Sequence, residues 1–182
     1  MKKIQEETLF RGDWLAIKKS TFQNADGRHY TWEHLERTGS GHAVVILATL
    51  RPSGRMVLVR EFRPGSADYV LALPAGMVES DNAAENALRE LGEETGYTGT
   101  VTRVDPVAFS FPALSGATMQ LVHIDIDETL SVNQNPQTRL EPGEFIETIL
   151  VPRQGIRHWL GQQANNGQKI ASGLWYLFAL AD

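Results

Sequence analysis

Residues 70–97 constrain the fold more than any other part of the chain, because the hydrophobic period changes there within a few positions. Val70-Leu71-Ala72-Leu73-Pro74-Ala75-Gly76 is a short apolar run stopped by proline and glycine, the pattern of a strand end. Beyond it Ala84, Ala87, Leu88 and Leu91 follow the 3.6-residue period of a helix. Asn82 with Glu85 three residues later resembles a capping box at the start of that helix, and Gly96 is its stop. The centre of the chain is therefore mixed α and β.

Strands dominate elsewhere. Residues 13–22 and 28–37 are β-rich and partly alternating, and Asn24-Ala25-Asp26-Gly27 between them carries turn chemistry, which predicts an N-terminal hairpin. Residues 43–50 form an apolar run suited to a buried strand, and Pro52-Ser53-Gly54 turns the chain into another strand at 56–62. Further strands are expected near 101–109, 119–126 and 145–151, and helices near 153–163 and 169–180. There are no repeats or low-complexity linkers, and 182 residues with 42% apolar content suffice for one core. The expectation is a single α+β domain over 1–182, with residues 1–40 as a β extension.

Composition removes several classes of function. A formal net charge of -5 from 17 basic and 22 acidic residues argues against nucleic-acid binding by bulk positive charge. With no cysteine, a disulfide framework, a thiolate nucleophile and a Cys-bearing zinc or iron–sulfur site are all excluded. The start Met1-Lys2-Lys3-Ile4-Gln5-Glu6-Glu7 lacks the apolar stretch of a signal peptide, and no segment approaches the roughly 18 apolar residues of a membrane span. A soluble cytoplasmic protein is the simple inference. His29, His34, His42, His123 and His158 show no metal-ligand spacing, so they read as structural or surface groups.

The chemistry concentrates in Arg89-Glu90-Leu91-Gly92-Glu93-Glu94-Thr95-Gly96-Tyr97. On a helix Glu90 neighbours both Glu93 and Glu94, and the carboxylates make one patch pointing largely away from the Ala84/Leu88/Leu91 stripe. Like charges at these spacings cost a few tenths of a kcal/mol per pair, so a cluster aimed at a cleft is better explained by a bound cation than by stability. Oxygen-only ligands suit Mg²⁺ or Mn²⁺, which keep waters and bind substrate phosphates. A solvated acidic helix face is the alternative.

This segment resembles the signature of the Nudix hydrolases: Gly, five residues, Glu, seven residues, then Arg-Glu-apolar-any-Glu-Glu-any-Gly-apolar. Arg89 to Tyr97 match its second half at every defined position. Seven residues back from Arg89, Asp81 stands where the family has its first Glu, and Gly76 precedes it by four residues instead of five. The resemblance implies a Nudix α/β/α sandwich with a mixed central sheet and an N-terminal antiparallel β-hairpin extension. It also implies cleavage of a diphosphate with Mg²⁺, or Mn²⁺, as cofactor. The implied metal ligands are Glu90, Glu94 and the carbonyl of Ala75, with Glu93 a further candidate, while Arg89 is an orienting partner that pairs with a carboxylate.

Outside the signature, Gly12-Asp13-Trp14 and Tyr30-Thr31-Trp32-Glu33-His34-Leu35-Glu36-Arg37 look like the N-terminal region of ADP-ribose and ADP-sugar pyrophosphatases. There two tryptophans can sandwich the base, one from each subunit of an exchanged homodimer. Trp14 and Trp32 match those positions, with core or dimer-interface aromatics as the alternative. Glu33 and Arg37 are implied polar contacts to the base or phosphates, though Arg37 reads equally well as a surface strand charge. Arg60-Glu61-Phe62-Arg63-Pro64 resembles a strand end whose last Arg faces the diphosphate, which favours Arg63 over Arg60. A fork of donors suits phosphate oxygens. Gly116, in the turn Leu114-Ser115-Gly116, occupies the place of a substrate-facing loop. In Leu140-Glu141-Pro142-Gly143-Glu144-Phe145 the first choice of general base is Glu144 and the second is Glu141, with a helix carboxylate such as Glu93 as the other catalytic candidate.

The implied reaction is attack of water on one phosphorus of a nucleoside diphosphate sugar such as ADP-ribose, giving a nucleoside monophosphate and a sugar phosphate. The alternatives are a Nudix hydrolase of GDP-sugars, dinucleotides or nucleoside triphosphates, and a non-catalytic sensor that binds ADP-ribose.

Overall fold

In the computed structural model, residues 1–179 are described. Strands β1 (Lys2–Arg11), β2 (Leu15–Gln23) and β3 (His29–Arg37) form a three-stranded antiparallel sheet in that order. The β2–β3 pair is the expected hairpin, and it turns where Asn24 Oδ1 accepts from the N–H groups of Asp26 and Arg28 at 3.1 and 2.8 Å. Strand β1 is a third member that the sequence pattern does not announce. It is exposed along its whole length, so ladder pairing with β2, rather than burial of an apolar face, holds it.

The chain then enters a mixed sheet through β4 (His42–Arg51), β5 (Arg55–Arg63), β6 (Asp68–Ala72) and β7 (Ala75–Met77), which lead to helix α1 (Ala83–Thr95). After it come β8 (Thr100–Val104), β9 (Ala108–Phe109), β10 (Thr118–Asp127), α2 (Ser131–Gln134), β11 (Ile146–Pro152), α3 (Ile156–Asn165), β12 (Lys169–Ile170) and α4 (Ser172–Leu177). The strand order is β12-β6-β5-β4-β10-β8, with β11 paired to β5, β7 to β4 and β9 to β10. Strands β4 and β10 run parallel from His42↔Thr118 to Arg51↔Asp127.

Strand β4 explains why residues 43–50 read as an unbroken apolar run: both of its faces are covered. Val44, Ile46, Ala48 and Leu50 pack with Val122, Ile124, Ile126 and the α1 residues Ala87 and Leu91. Leu47 belongs to a second core with Met56, Leu58, Leu71, Ile156, Leu160, Leu174 and Phe178, which brings α3 and α4 onto the opposite face. The layering is the expected α/β/α sandwich.

Two expected elements change, and one short helix was not expected. The strand at 101–109 is two strands, because Pro106 has no N–H for the ladder. Where a helix was expected from 169, Lys169 and Ile170 first pair in parallel with Val70 and Leu71, and α4 starts only at Ser172; Leu180 lies outside the described residues. Helix α2 spans four residues, too few to show a period. Among the described residues no helix is long and apolar enough to cross a membrane.

The expected limits of α1 are observed. Asn82 Oδ1 accepts from Ala84 N at 3.1 Å and Glu85 N at 3.3 Å, and Gly96 closes the helix at φ +74° with its N–H on Gly92 O at 3.0 Å. A Cβ at residue 96 would lie 2.4 Å from the backbone nitrogen of Gln137, so both conformation and space require glycine there.

Candidate active site

Helix α1 presents its carboxylates to β7, which immediately precedes it. Glu94 continues the buried face of Ala87 and Leu91 and is only 4% exposed, so it is not on the outward acidic patch expected from the sequence. At 100° per residue, position 94 falls three residues beyond Leu91 and returns to the same face. Glu94 Oε2 accepts from Ala75 N at 3.2 Å. Glu90 is also turned inward, against Gly76, where a Cβ would stand 1.8 Å from the Glu90 carboxyl carbon. Any other residue at 76 would displace that carboxylate.

Arg89 ties the outer part of the cluster together. Its Nη1 donates to Glu93 Oε2 at 2.7 Å, and its Nη2 donates to Glu90 Oε1 at 2.7 Å and to Met77 O at 3.1 Å. Burial works against the Arg89 charge, but Glu90, Glu79 and Glu93 outweigh it and raise its pKa.

Strand β5 supplies the neighbours across the site. Alternation puts Val57 in the core under α1 and Leu58 in the opposite core, so Glu61 and Arg63 face α1 while Arg60 faces away. Arg60 pairs with Glu147 and lies 5.6 Å from the Tyr69 ring centroid, which gives it a local structural role. Arg63, preferred over Arg60 in the sequence for its place at the strand end, shares the α1-facing side of β5 with Glu61. Glu61 was not singled out from the sequence. Its Oε2 is buried without a hydrogen bond, although Arg63 Nη2 is 2.5 Å away in a poorly aligned ion contact. Period-two alternation from Val57 is the signal that finds it.

These carboxylates act on one another. Burial first, then the charges of Glu61 and Glu90, push Glu94 up to about 8 from an ordinary 4.5, with Glu144 adding to the shift and the Ala75 N–H opposing it. Burial likewise raises Glu90, against Arg89 and with Glu93 and Glu144 adding, and it raises Glu61, against Arg63 and with Glu144 adding. Glu144 thus faces the cluster from the 140–145 loop, where its Oε2 accepts from Glu141 N at 2.8 Å and its N–H donates to Glu141 O at 3.1 Å. Glu141 is exposed, and its side chain makes no described contact.

The substrate-binding candidates lie on the N-terminal sheet and a loop docked against it. Leu35 N donates to Leu114 O at 2.8 Å, which fixes the Gly116 loop beside β3. Trp32, Glu33 and Gly116 line one cavity of about 600 Å³, and Arg37 and Gly116 line an adjoining one of about 530 Å³. Arg37 Nη1 reaches Met77 Sδ at 3.7 Å, the residue whose carbonyl holds Arg89, so the cavity lined by Arg37 borders the acidic site. Trp14 is not brought to Trp32. Its carbonyl accepts from Thr38 N at 3.1 Å, and six residues of β3 separate Thr38 from Trp32, about 20 Å of strand. Trp14 is 80% exposed and Trp32 50%, the latter held by Tyr30 and Phe22 at 5.9 and 5.6 Å between ring centroids.

The donor set fits a hard divalent cation. It is all oxygen, and the buried Glu94 stands among Glu61, Glu90 and Glu144. Among the described residues no three His, Asp or Glu side chains converge on one cation position as they stand, since Glu90 and Glu93 are engaged by Arg89. The histidines serve elsewhere: His34 bonds Ser20, His42 bonds Thr118 and Gln120, His123 bonds Asp105, and His158 bonds Gln162.

Comparison with known proteins agrees with this geometry. The NUDIX domain model matches residues 40–171. An uncharacterised Nudix hydrolase of Schizosaccharomyces pombe is 36% identical over 154 residues, which cover 81% of this chain and 75% of that one. An ADP-sugar pyrophosphatase of Mus musculus is 34% identical over 83% of this chain and 73% of its own length. A crystal structure of an ADP compounds hydrolase aligns with a TM-score of 0.64 at 21% identity, over 84% of this chain and 79% of that one, a likeness of fold. With a family model spanning most of the chain, and with the strand, glycine and acidic helix of the signature brought together in space, the chain belongs to the Nudix hydrolase family.

Proposed function

We propose that this protein hydrolyses the diphosphate bond of an ADP-sugar such as ADP-ribose, with Mg²⁺ or Mn²⁺, to AMP and a sugar phosphate. The observation that carries the reading is Glu94, buried among Glu61, Glu90 and Glu144, an arrangement of like charges that costs stability unless a cation is bound. Glu90, Glu94 and the Ala75 carbonyl hold that cation, with Glu93 in reserve under Arg89. A bound divalent cation neutralises charge on the diphosphate and lowers the pKa of the attacking water.

The protein's own groups do the rest. Glu144 accepts the proton of the water whose oxygen bonds to phosphorus, with Glu141 as the second choice, and the bridging P–O bond breaks with its electron pair on the leaving phosphate. Arg63 holds the diphosphate from β5. Trp32 stacks on the adenine, with Glu33 and Arg37 beside it and Gly116 letting the loop backbone approach the sugar. Because Trp14 lies about 20 Å along the sheet from Trp32, we assign it to the site of a second copy, in a homodimer that exchanges residues 1–40. The enzyme works in the cytoplasm.

The test is hydrolysis of ADP-ribose, GDP-mannose and dATP side by side, after EDTA and readdition of Mg²⁺ or Mn²⁺, with product identification. Release of AMP and ribose 5-phosphate is expected. Cleavage of dATP alone would overturn the substrate, and binding of ADP-ribose without turnover would indicate a sensor.

A further inference from the structure

The loop between β7 and α1 is one residue shorter than the family signature, and counting back from Arg89 puts Asp81 at the position of the first signature carboxylate. The side chains are arranged otherwise. Asp81 makes no described hydrogen bond or ion pair, whereas Glu79 Oε1 lies 3.6 Å from Arg89 Nη2, on the guanidinium nitrogen that also holds Glu90. We propose that Glu79, not Asp81, is the loop carboxylate that positions Arg89, and that Asn86 holds the shortened loop in the conformation that brings Glu79 there. The inference rests on the proposal that Glu90 and Glu94 bind a divalent cation.

Asn86 has the geometry for this. It is on α1 yet only 3% exposed, and its amide is spent on the loop rather than on solvent or the core. Its Nδ2 donates to Ser80 O at 3.0 Å, Ser80 Oγ at 3.0 Å and Asn82 O at 2.8 Å, while its Oδ1 accepts from Glu79 N at 2.9 Å. One side chain thus engages Glu79, Ser80 and Asn82, on either side of Asp81, and it fixes the backbone of Glu79 directly. A buried amide so engaged holds the turn, and truncating it would take their side-chain partner from the Glu79 N–H and the Ser80 carbonyl. From Glu79 the contact runs through Arg89 to Glu90 and Glu93, and a shared guanidinium sets where those carboxylates stand.

Glu79 and Asn86 are therefore positioning residues, and their effect is read on cation binding as well as on turnover. The experiment titrates Mn²⁺ into metal-free wild type, Glu79→Gln, Asp81→Asn and Asn86→Ala by electron paramagnetic resonance, with melting temperatures measured in EDTA. Glu79→Gln is expected to weaken Mn²⁺ binding about threefold with an unchanged melting temperature, an effect that shrinks as salt rises because Glu79 is 69% exposed. Asn86→Ala is expected to melt lower and, where still folded, to bind Mn²⁺ about tenfold more weakly. Asp81→Asn is expected to match wild type in both measurements. If Asn86→Ala fails to fold, the Glu79 and Asp81 variants decide by themselves. An Asp81→Asn loss equal to or larger than that of Glu79→Gln overturns the proposal, as does wild-type binding in Glu79→Gln. A wild type that binds no Mn²⁺ sinks the cation site itself, which separates the two failures.

Discussion

The acidic site under α1 and the N-terminal sheet are built in opposite ways. Around Glu94 several elements close on one another: Gly76 leaves room for Glu90, Ala75 donates to Glu94, Arg89 bridges Glu90, Glu93 and Met77, and β5 presents Glu61 and Arg63 from the far side. The three-stranded sheet is a single layer whose β1 is exposed throughout, and it displays Trp14, Phe10, Leu15, Ile17 and Trp32 to solvent. The first region has within one chain the groups its proposed chemistry needs. The second presents Trp14 beside the end of β3 and Trp32 within it, with the loop around Gly116 docked against that strand. Bond-making chemistry tolerates little displacement, so it sits on the packed sandwich, while recognition by stacking tolerates a thinner support.

That contrast is tested most severely at Glu94. Glu94→Gln is expected to lower kcat by about a thousandfold or more while the protein stays folded, because the substitution removes a cation ligand and keeps the shape of the side chain. Wild-type kcat in this variant, measured by AMP release, would break the assignment of chemistry to α1. Next in size is the late loop. Glu144→Gln is expected to lower kcat by about a hundredfold or more and Glu141→Gln to change it less than about threefold, since only Glu144 acts on the carboxylate cluster. Equal losses in both would return the choice between them to the open state.

The third effect is on stability. Glu94 titrates near 8 in the folded chain against 4.5 for an ordinary glutamate, so the folded state keeps its proton to higher pH than the unfolded state does. For the metal-free protein this stability is fully present below about 4.5 and is lost as pH rises through about 8, a loss on the order of a few kcal/mol. Urea unfolding in EDTA at pH 5 and pH 8.5 measures it. Glu94→Gln is expected to flatten the difference, and an equally steep loss in that variant would assign the titration to another group.

The smallest expected effects lie on the exposed sheet. Trp32→Ala is expected to raise KM about tenfold with kcat nearly unchanged, the value of one stacked base. Trp14→Ala is expected to do the same, and wild-type activity per subunit to fall on dilution if Trp14 works across a dimer. Loss of kcat rather than KM in either variant would mean that the sheet takes part in the chemistry, and the comparison would fail.

The signature helix was legible in the sequence because its information is local. Asn82 and Gly96 bound it, Ala87 and Leu91 mark its inner face, and Arg89 to Tyr97 carry the resemblance to the Nudix signature that implies the chemistry. The hairpin turn at Asn24 and the buried run of β4 are local in the same sense. Strand β1 was not legible, since an exposed ladder needs no apolar alternation, and β12 was not, since two residues carry no period.

What only the tertiary structure decided concerns groups that meet from distant parts of the chain. Glu61 entered the site because β5 turns its odd-numbered face toward α1, and Glu144 because a loop more than eighty residues further on returns to the same place. The inward turn of Glu94 follows from what covers α1, and the separation of Trp14 from Trp32 follows from the register of β2 on β3. Sequence by itself carried the type of chemistry through the local Arg89 to Tyr97 signature, whose match needs no tertiary contact, while helix spacing alone misplaced the direction of Glu94. Which charges share one desolvated volume depends on contacts between residues far apart in sequence, and burial sets how strongly they act on one another.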